Sequence, residues 1–186
     1  MKEFPEKRER KCALGRKDCF KIRKADPNDA NAIYAIMQRV SSELPDKSLF
    51  VCDDLEFVQA HLQSNGFGVV ACDGDNKIVA SFLFRYPHME EDNLGRDIDL
   101  AEEQLDAVVH MESAVVLPEY RGHHLQEKML RYAESMIDKS VYHYFMATVS
   151  PDNPASYVSL EHNGYSLVAT KKKYGGLVRR IYLKEW

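Results

Sequence analysis

The hydrophobic period of this chain switches repeatedly between two residues and three to four, and that alternation limits the possible folds more than any other feature. Residues 19–24 alternate apolar with polar side chains, as a half-buried strand does. Asp26 then stands as an N-cap before Pro27, a residue suited to the first helical position. Ala30, Ile33, Met37, Val40 and Leu44 recur three or four apart and give one apolar helix face before Pro45. Asp53 and Asp54 open a shorter helix carrying Leu55, Val58 and Leu62, which Asn65-Gly66 stops. Apolar strands follow over 68–72 and 77–86, joined by the turn at 73–76, and a β-branched strand runs over 107–117. A helix over 124–138 presents Leu125, Met129, Ala133 and Ile137 on one face, and 141–149 reads as a buried strand. Asn153 caps a helix that begins at Pro154 and ends at Gly164. Strands 165–174 and 177–183 flank Gly175-Gly176, the two-residue signal of a tight hairpin.

The order β-α-α-β-β-β-α-β-α-β-β predicts an α/β domain with one mixed, largely antiparallel sheet and helices on both faces. A length of 186 residues with 45% hydrophobic and 29% charged side chains suits one domain with a substantial core and excludes wholesale disorder. Residues 1–17 lack periodicity and read as a mobile basic leader ahead of the domain. The longest apolar stretch, 78–84, is too short to span a bilayer, and the N-terminal charges are not followed by an apolar run. Cys12, Cys19, Cys52 and Cys72 are widely spaced and read as reduced thiols. The expectation is a cytoplasmic protein without a membrane partner.

Charge argues against nucleic acid as a partner: 25 basic residues face 29 acidic ones, for a net charge of −4. The distribution is uneven. Residues 1–24 hold ten Lys/Arg and four Asp/Glu, whereas 88–106 hold eight acids and only Arg96 as a cation. The acidic segment is too polar for core and reads either as a lid that attracts a cationic amine or as a flexible solvating insertion. Lys171, Lys172 and Lys173 face Arg179 and Arg180 across the terminal hairpin, the pattern of a solvated face.

The segment Ala114-Val115-Val116-Leu117-Pro118-Glu119-Tyr120-Arg121-Gly122-His123-His124-Leu125-Gln126 carries the most chemistry. It runs from a buried strand through a short loop into the start of an amphipathic helix. Free N–H groups and the positive end of a helix dipole suit a phosphate or pyrophosphate there. Arg121 adds a cation, and Gly122 allows close backbone approach. A purely structural strand-to-helix turn uses the same residue types.

The pattern Val-x-Pro-Glu-Tyr-Arg-Gly-x-x-Leu, ending at Leu125, resembles the acyl-CoA pyrophosphate loop of the GNAT N-acetyltransferase superfamily. A second block, Asn153-Pro154-Ala155-Ser156 through Glu161-His162-Asn163-Gly164-Tyr165, is similar to that family's later Asn…Gly-Phe/Tyr helix, in the right order and one strand further on. The resemblance implies a GNAT-like acyl-CoA acyltransferase domain over 18–186, with acetyl-CoA as cosubstrate and a small-molecule or peptide amine as acceptor. It places Arg121, Gly122, His123, His124, Leu125 and Gln126 around the CoA pyrophosphate. Ala114, Val115 and Val116 would offer backbone groups to the pantetheine arm, one N–H polarising the thioester carbonyl. Asn153 and Ser156 would lie near the thioester. The resemblance allows a homodimer, but no feature of the sequence specifies an interface.

This chain departs from the family pattern at three positions. Where the family usually has glycine, this chain has His124, and Gln126 stands in place of glycine or alanine. Leu160 occupies the position of a tyrosine that protonates the departing thiolate; Tyr157 and Ser156, one helical turn earlier, are the available substitutes. The amine also needs a base, because an alkylamine with a pKa of about 10.4 is neutral in about one molecule in 2,500 at pH 7. His110 and Glu112 are two apart on the 107–117 strand, so they share a face with Ala114 and Val116. They read as a base pair, Glu112 taking the proton directly or through water and His110, or else as a structural hydrogen bond. His123 and His124 with Glu112 lack a converging third ligand, so no metal is expected. No Cys/His/Asn or Ser/His/Asp signature supports a covalent acyl-enzyme. The competing reading, motivated by Leu160 and His124, is an acyl-CoA-binding regulatory or interaction domain without turnover.

Overall fold

The structure, a computed structural model, describes residues 19–186; the expected leader over 1–17 lies outside them. Seven strands form one sheet: β1 (Lys21–Lys24), β2 (Gly66–Cys72), β3 (Ile78–Arg85), β4 (Val108–Val116), β5 (Tyr144–Val149), β6 (Ser166–Lys173) and β7 (Leu177–Glu185). Their spatial order is β1-β2-β3-β4-β5-β7-β6, antiparallel throughout except where β4 and β5 run parallel. Every residue of β3 is buried, which requires cover on both faces of the sheet. That cover comes from α1 (Ala30–Glu43), α2 (Leu55–Gln63), α3 (Leu125–Met136) and α4 (Pro154–His162). The α/β architecture and the mixed, largely antiparallel sheet are those predicted from the order of periods.

Local chemistry explains the helix boundaries. The Asp26 carboxylate accepts from Asn28 N–H at 2.9 Å and Asp29 reaches back to Asp26 N–H at 2.7 Å, a reciprocal cap that starts a 3₁₀ turn leading into α1. Asp54 caps α2 by accepting from Phe57 N–H at 2.8 Å, which leaves Asp53 outside the helix. Asn153 caps α4, and Gly164 ends it with φ +87°. Gly66 does more than stop a helix. It opens β2, and a Cβ there would lie 1.9 Å from the carbonyl oxygen of Phe84 on β3, so only glycine permits this pairing.

Three expectations are corrected. The acidic segment is neither wholly non-core nor a solvating insertion. It forms two 3₁₀ turns, Leu94–Ile98 and Glu102–Ala107, and buries Leu94 in a second small core with Val108, Met146 and Ile181. The basic hairpin is only partly a solvated face, because Lys173 pairs with Asp97 of the acidic segment at 2.6 Å and Arg179 is buried. Cys19 is disulfide-bonded, against the reading of four reduced thiols, while Cys52 and Cys72 are free. Among the described residues, no helix is long and apolar enough to cross a membrane.

Candidate active site

The sheet opens at its centre. The parallel ladder of β4 and β5 runs from Val108↔Tyr144 to Met111↔Ala147 and stops, although β4 continues to Val116 and β5 to Val149. Within the same stretch, Glu112 and Ser113 together face the single Leu83 of β3, a bulge that twists β4 away from β5. The resulting wedge holds a cavity of about 110 Å³ lined by Asp53, Glu112, Ser113, Thr148, Leu160 and Tyr174, among others. A water needs only about 10–15 Å³ by the same measure. A larger groove of about 490 Å³ continues from Ala114 to the start of α3, and Val40 of α1 and Leu44 just after it also line it.

The groove ends at a helix terminus with open amides. His124, the residue before α3, has φ +56° and no side chain caps the helix. Gly122 has φ +84°, and nothing lies within 4 Å of where its Cβ would be. The turn before it is held from outside: Arg39 of α1 donates to both Glu119 carboxylate oxygens at 2.8 and 3.0 Å, and Tyr120 Oη donates to Asp73 at 3.0 Å. Of the residues expected around a CoA, Ala114, Val115 and Val116 line the groove, as do Arg121, Gly122, His124, Leu125 and Gln126, and Asn153 and Ser156. His123 does not. Its ring packs on Phe20, centroids 5.0 Å apart.

A charge network lies behind the wedge. Arg85, only 6% exposed, donates through Nε to Glu112 at 2.8 Å, through Nη2 to Asp92 at 2.6 Å and through Nη1 to Glu90. Burial disfavours charge on Glu112, yet the His110 hydrogen bond and the Arg85 guanidinium outweigh it and bring the carboxyl down to about 2. His110 and Glu112 do share a face and approach to 3.3 Å. The His110 ring is committed, however: Leu94 N–H donates to Nε2 at 2.9 Å, which leaves the proton on Nδ1, facing Glu112. Taking up a proton at Nε2 breaks the Leu94 bond, so this geometry suits a positioning role better than the expected relay.

Asp53 was absent from the predicted site because its neighbour Asp54 supplies the helix cap and the pair reads as a helix start. It turns into the wedge instead and accepts from Ser113 Oγ at 2.8 Å. Burial raises its pKa, the Glu112 charge adds to the rise, and the Ser113 bond only partly offsets it. Leu160, 2% exposed, lines the wedge where the family tyrosine is expected and offers no proton. Tyr157 lines neither the wedge nor the groove; its ring lies under the Arg180 guanidinium at 4.6 Å. The tyrosine that does line the wedge is Tyr174, whose hydroxyl pairs with Thr148 Oγ1 at 2.8 Å and whose pKa burial raises. Among the described residues, no group of three His, Cys, Asp or Glu could hold a metal ion.

This arrangement, a parallel pair splayed beside a bulged strand that feeds a helix with free amides, is the GNAT acyltransferase fold. The chain superposes on the acetyltransferase of the GNAT family from Streptococcus pneumoniae with a TM-score of 0.65 at 18% identity, over 90% of this chain and 99% of that one. It superposes on NAA60 of Arabidopsis thaliana in complex with a bisubstrate analogue with a TM-score of 0.68 at 13% identity, over 90% and 98% of the two chains. The ribosomal-protein-alanine N-acetyltransferase from Brucella melitensis matches with a TM-score of 0.65 at 17% identity, over 89% and 99%. At these identities the likeness is one of fold. No protein-family model matches the sequence, and no curated protein sequence matches it significantly.

Proposed function

We propose that the chain transfers an acetyl group from acetyl-CoA to a primary amine, with both substrates bound together and the amine attacking the thioester directly. The observation that carries this reading is the continuity of the groove with the wedge, which joins open α3 amides to a pair of carboxylates along β4 backbone that has β3 on one side and no β5 partner on the other. The amides at 122–126 and Arg121 suit the CoA diphosphate. The side of 114–116 that faces away from β3 suits the pantetheine arm, and an N–H group on it would hold the oxyanion formed on attack.

The two carboxylates divide the work. Glu112, kept ionised by Arg85, is too weak a base to deprotonate an ammonium efficiently, but it holds that ammonium in place. Asp53, with its raised proton affinity, receives the ammonium proton. The freed lone pair then forms the N–C bond, the C–S electron pair leaves on sulfur, and the second nitrogen proton goes to that thiolate or to water. A thiol pKa of about 8.5 lets CoA depart without an acid at Leu160. His110 positions Glu112.

Calorimetry with acetyl-CoA and thiol release over a panel of amines test the reading; binding together with acceptor-dependent release is expected. Binding without release from any amine favours a non-catalytic acyl-CoA-binding domain, the reading that Leu160 and His124 motivate. Within the enzyme reading, Asp53→Asn is expected to lower kcat/KM about a hundredfold or more and to remove the acid limb of its pH profile. If Glu112→Gln removes that limb and Asp53→Asn leaves it, Glu112 is the base.

A further inference from the structure

The acceptor end of the wedge holds a charged group that acetylation of a simple amine does not use. Arg179 of β7 is 4% exposed and lines the same cavity as Asp53 and Glu112. Its Nη1 donates to the Val178 carbonyl at 3.0 Å and its Nη2 to the Ser48 carbonyl at 2.6 Å. A guanidinium has five N–H donors, so this fork is not saturated. Among the described residues no carboxylate is in ion-pair contact with it; Asp46, the acid next to that loop, attracts it only through space and accepts from Ser48 N–H at 2.8 Å. Arg85 is buried to the same degree and bonds three carboxylates. A buried cation with no carboxylate in contact is costly, and one that lines a cavity can be matched by an anion entering it.

Resting on the acetyltransferase reading above, we infer that the acceptor is a zwitterion, a small amino acid or aminoalkyl acid whose ammonium lies against Asp53 and Glu112 and whose carboxylate reaches Arg179. One cavity of about 110 Å³ is lined by Asp53, Glu112 and Arg179 together, and only β5 lies between the strands that carry Glu112 and Arg179, so a small molecule with an ammonium at one end and a carboxylate at the other can meet both charges at once. The orientation is fixed as well, because a carboxylate placed beside Asp53 and Glu112 is repelled. The guanidinium lies over the Tyr174 ring, 5.6 Å from its centroid, which adds a cation–π contact on that side.

Matched acceptors test the inference on the unaltered protein. Glycine, alanine and phenylalanine are each compared with their carboxamide and their decarboxylated amine, reading thiol release from acetyl-CoA. The carboxylate form is expected to exceed both counterparts in kcat/KM by about ten- to a hundredfold in at least one set. Arg179→Gln is expected to bring that ratio to about one, and Arg179→Lys to keep most of it, with melting curves confirming that both variants fold. If the carboxamides and decarboxylated amines are used as well as the amino acids in every set, the zwitterion is overturned and the acetyltransferase stands. If acetyl-CoA binds and no acceptor releases thiol, both fall.

Discussion

Two residues hold states that cost stability, a left-handed backbone at His124 and a desolvated carboxyl at Asp53. His124 stands at a position whose φ of +56° costs a side chain with a Cβ about 1–2 kcal/mol, and where the family pattern has glycine. Histidine tolerates that region better than most residues, and its close charged partner among the described residues is Glu127 at 3.5 Å on the surface. His124→Gly is therefore expected to raise Tm by about 2–4 °C, the response of a chain this size to about 1 kcal/mol, and to tighten CoA binding by uncovering the α3 amides. A melting curve and a CoA titration check both; a lower Tm contradicts the strain. Asp53 is the opposite case. Its folded pKa lies above the unfolded value, so its contribution to stability is present at acid pH and lost as pH rises. Asp53→Asn should thus melt higher at neutral pH even as it loses activity, the mark of a group kept for chemistry.

At the scale of elements, the acidic segment is coupled to β4 through Arg85, which bridges Asp92 and Glu90 to Glu112. With a folded pKa of about 2, Glu112 contributes stability that is complete above the ordinary carboxylate range and is lost as pH falls towards 2. Arg85→Gln leaves that carboxylate half-paired in the interior. A loss of about 3–5 kcal/mol at neutral pH is expected, together with a weaker acid dependence of stability, measurable by urea unfolding at pH 7 and pH 3. An unchanged pH dependence means the network does not hold Glu112. Little of this coupling was legible in sequence. The caps at Asp26, Asp54 and Asn153, the hairpin glycines and the order of elements were, because each depends on residues within one turn of one another. The bulge at Glu112 and Ser113, the inward turn of Asp53 and the burial of Leu94 were not, because each depends on pairing with distant strands.

Across the whole molecule, the sheet divides into two arms that part at β4 and β5, and the parting makes one continuous path from solvent at the α3 terminus to the carboxylates at the centre. The position of the loop at 118–126, between a buried strand and a helix start, was legible from residue types alone, and the structure sets that loop at the end of the groove. The inward face of Arg179 was hidden, because a basic hairpin reads the same whether its cations meet water or a cavity. The same opening removes β4–β5 ladder hydrogen bonds beyond Met111 at the sheet centre, where water or a ligand has to take their place. The most direct measurement is a crystal structure with CoA bound. The diphosphate is expected on the amides of 122–126 beside Arg121, with the thiol end pointing into the wedge beside Asp53. A CoA bound elsewhere, or a terminus that refuses it at saturating concentration, contradicts the account.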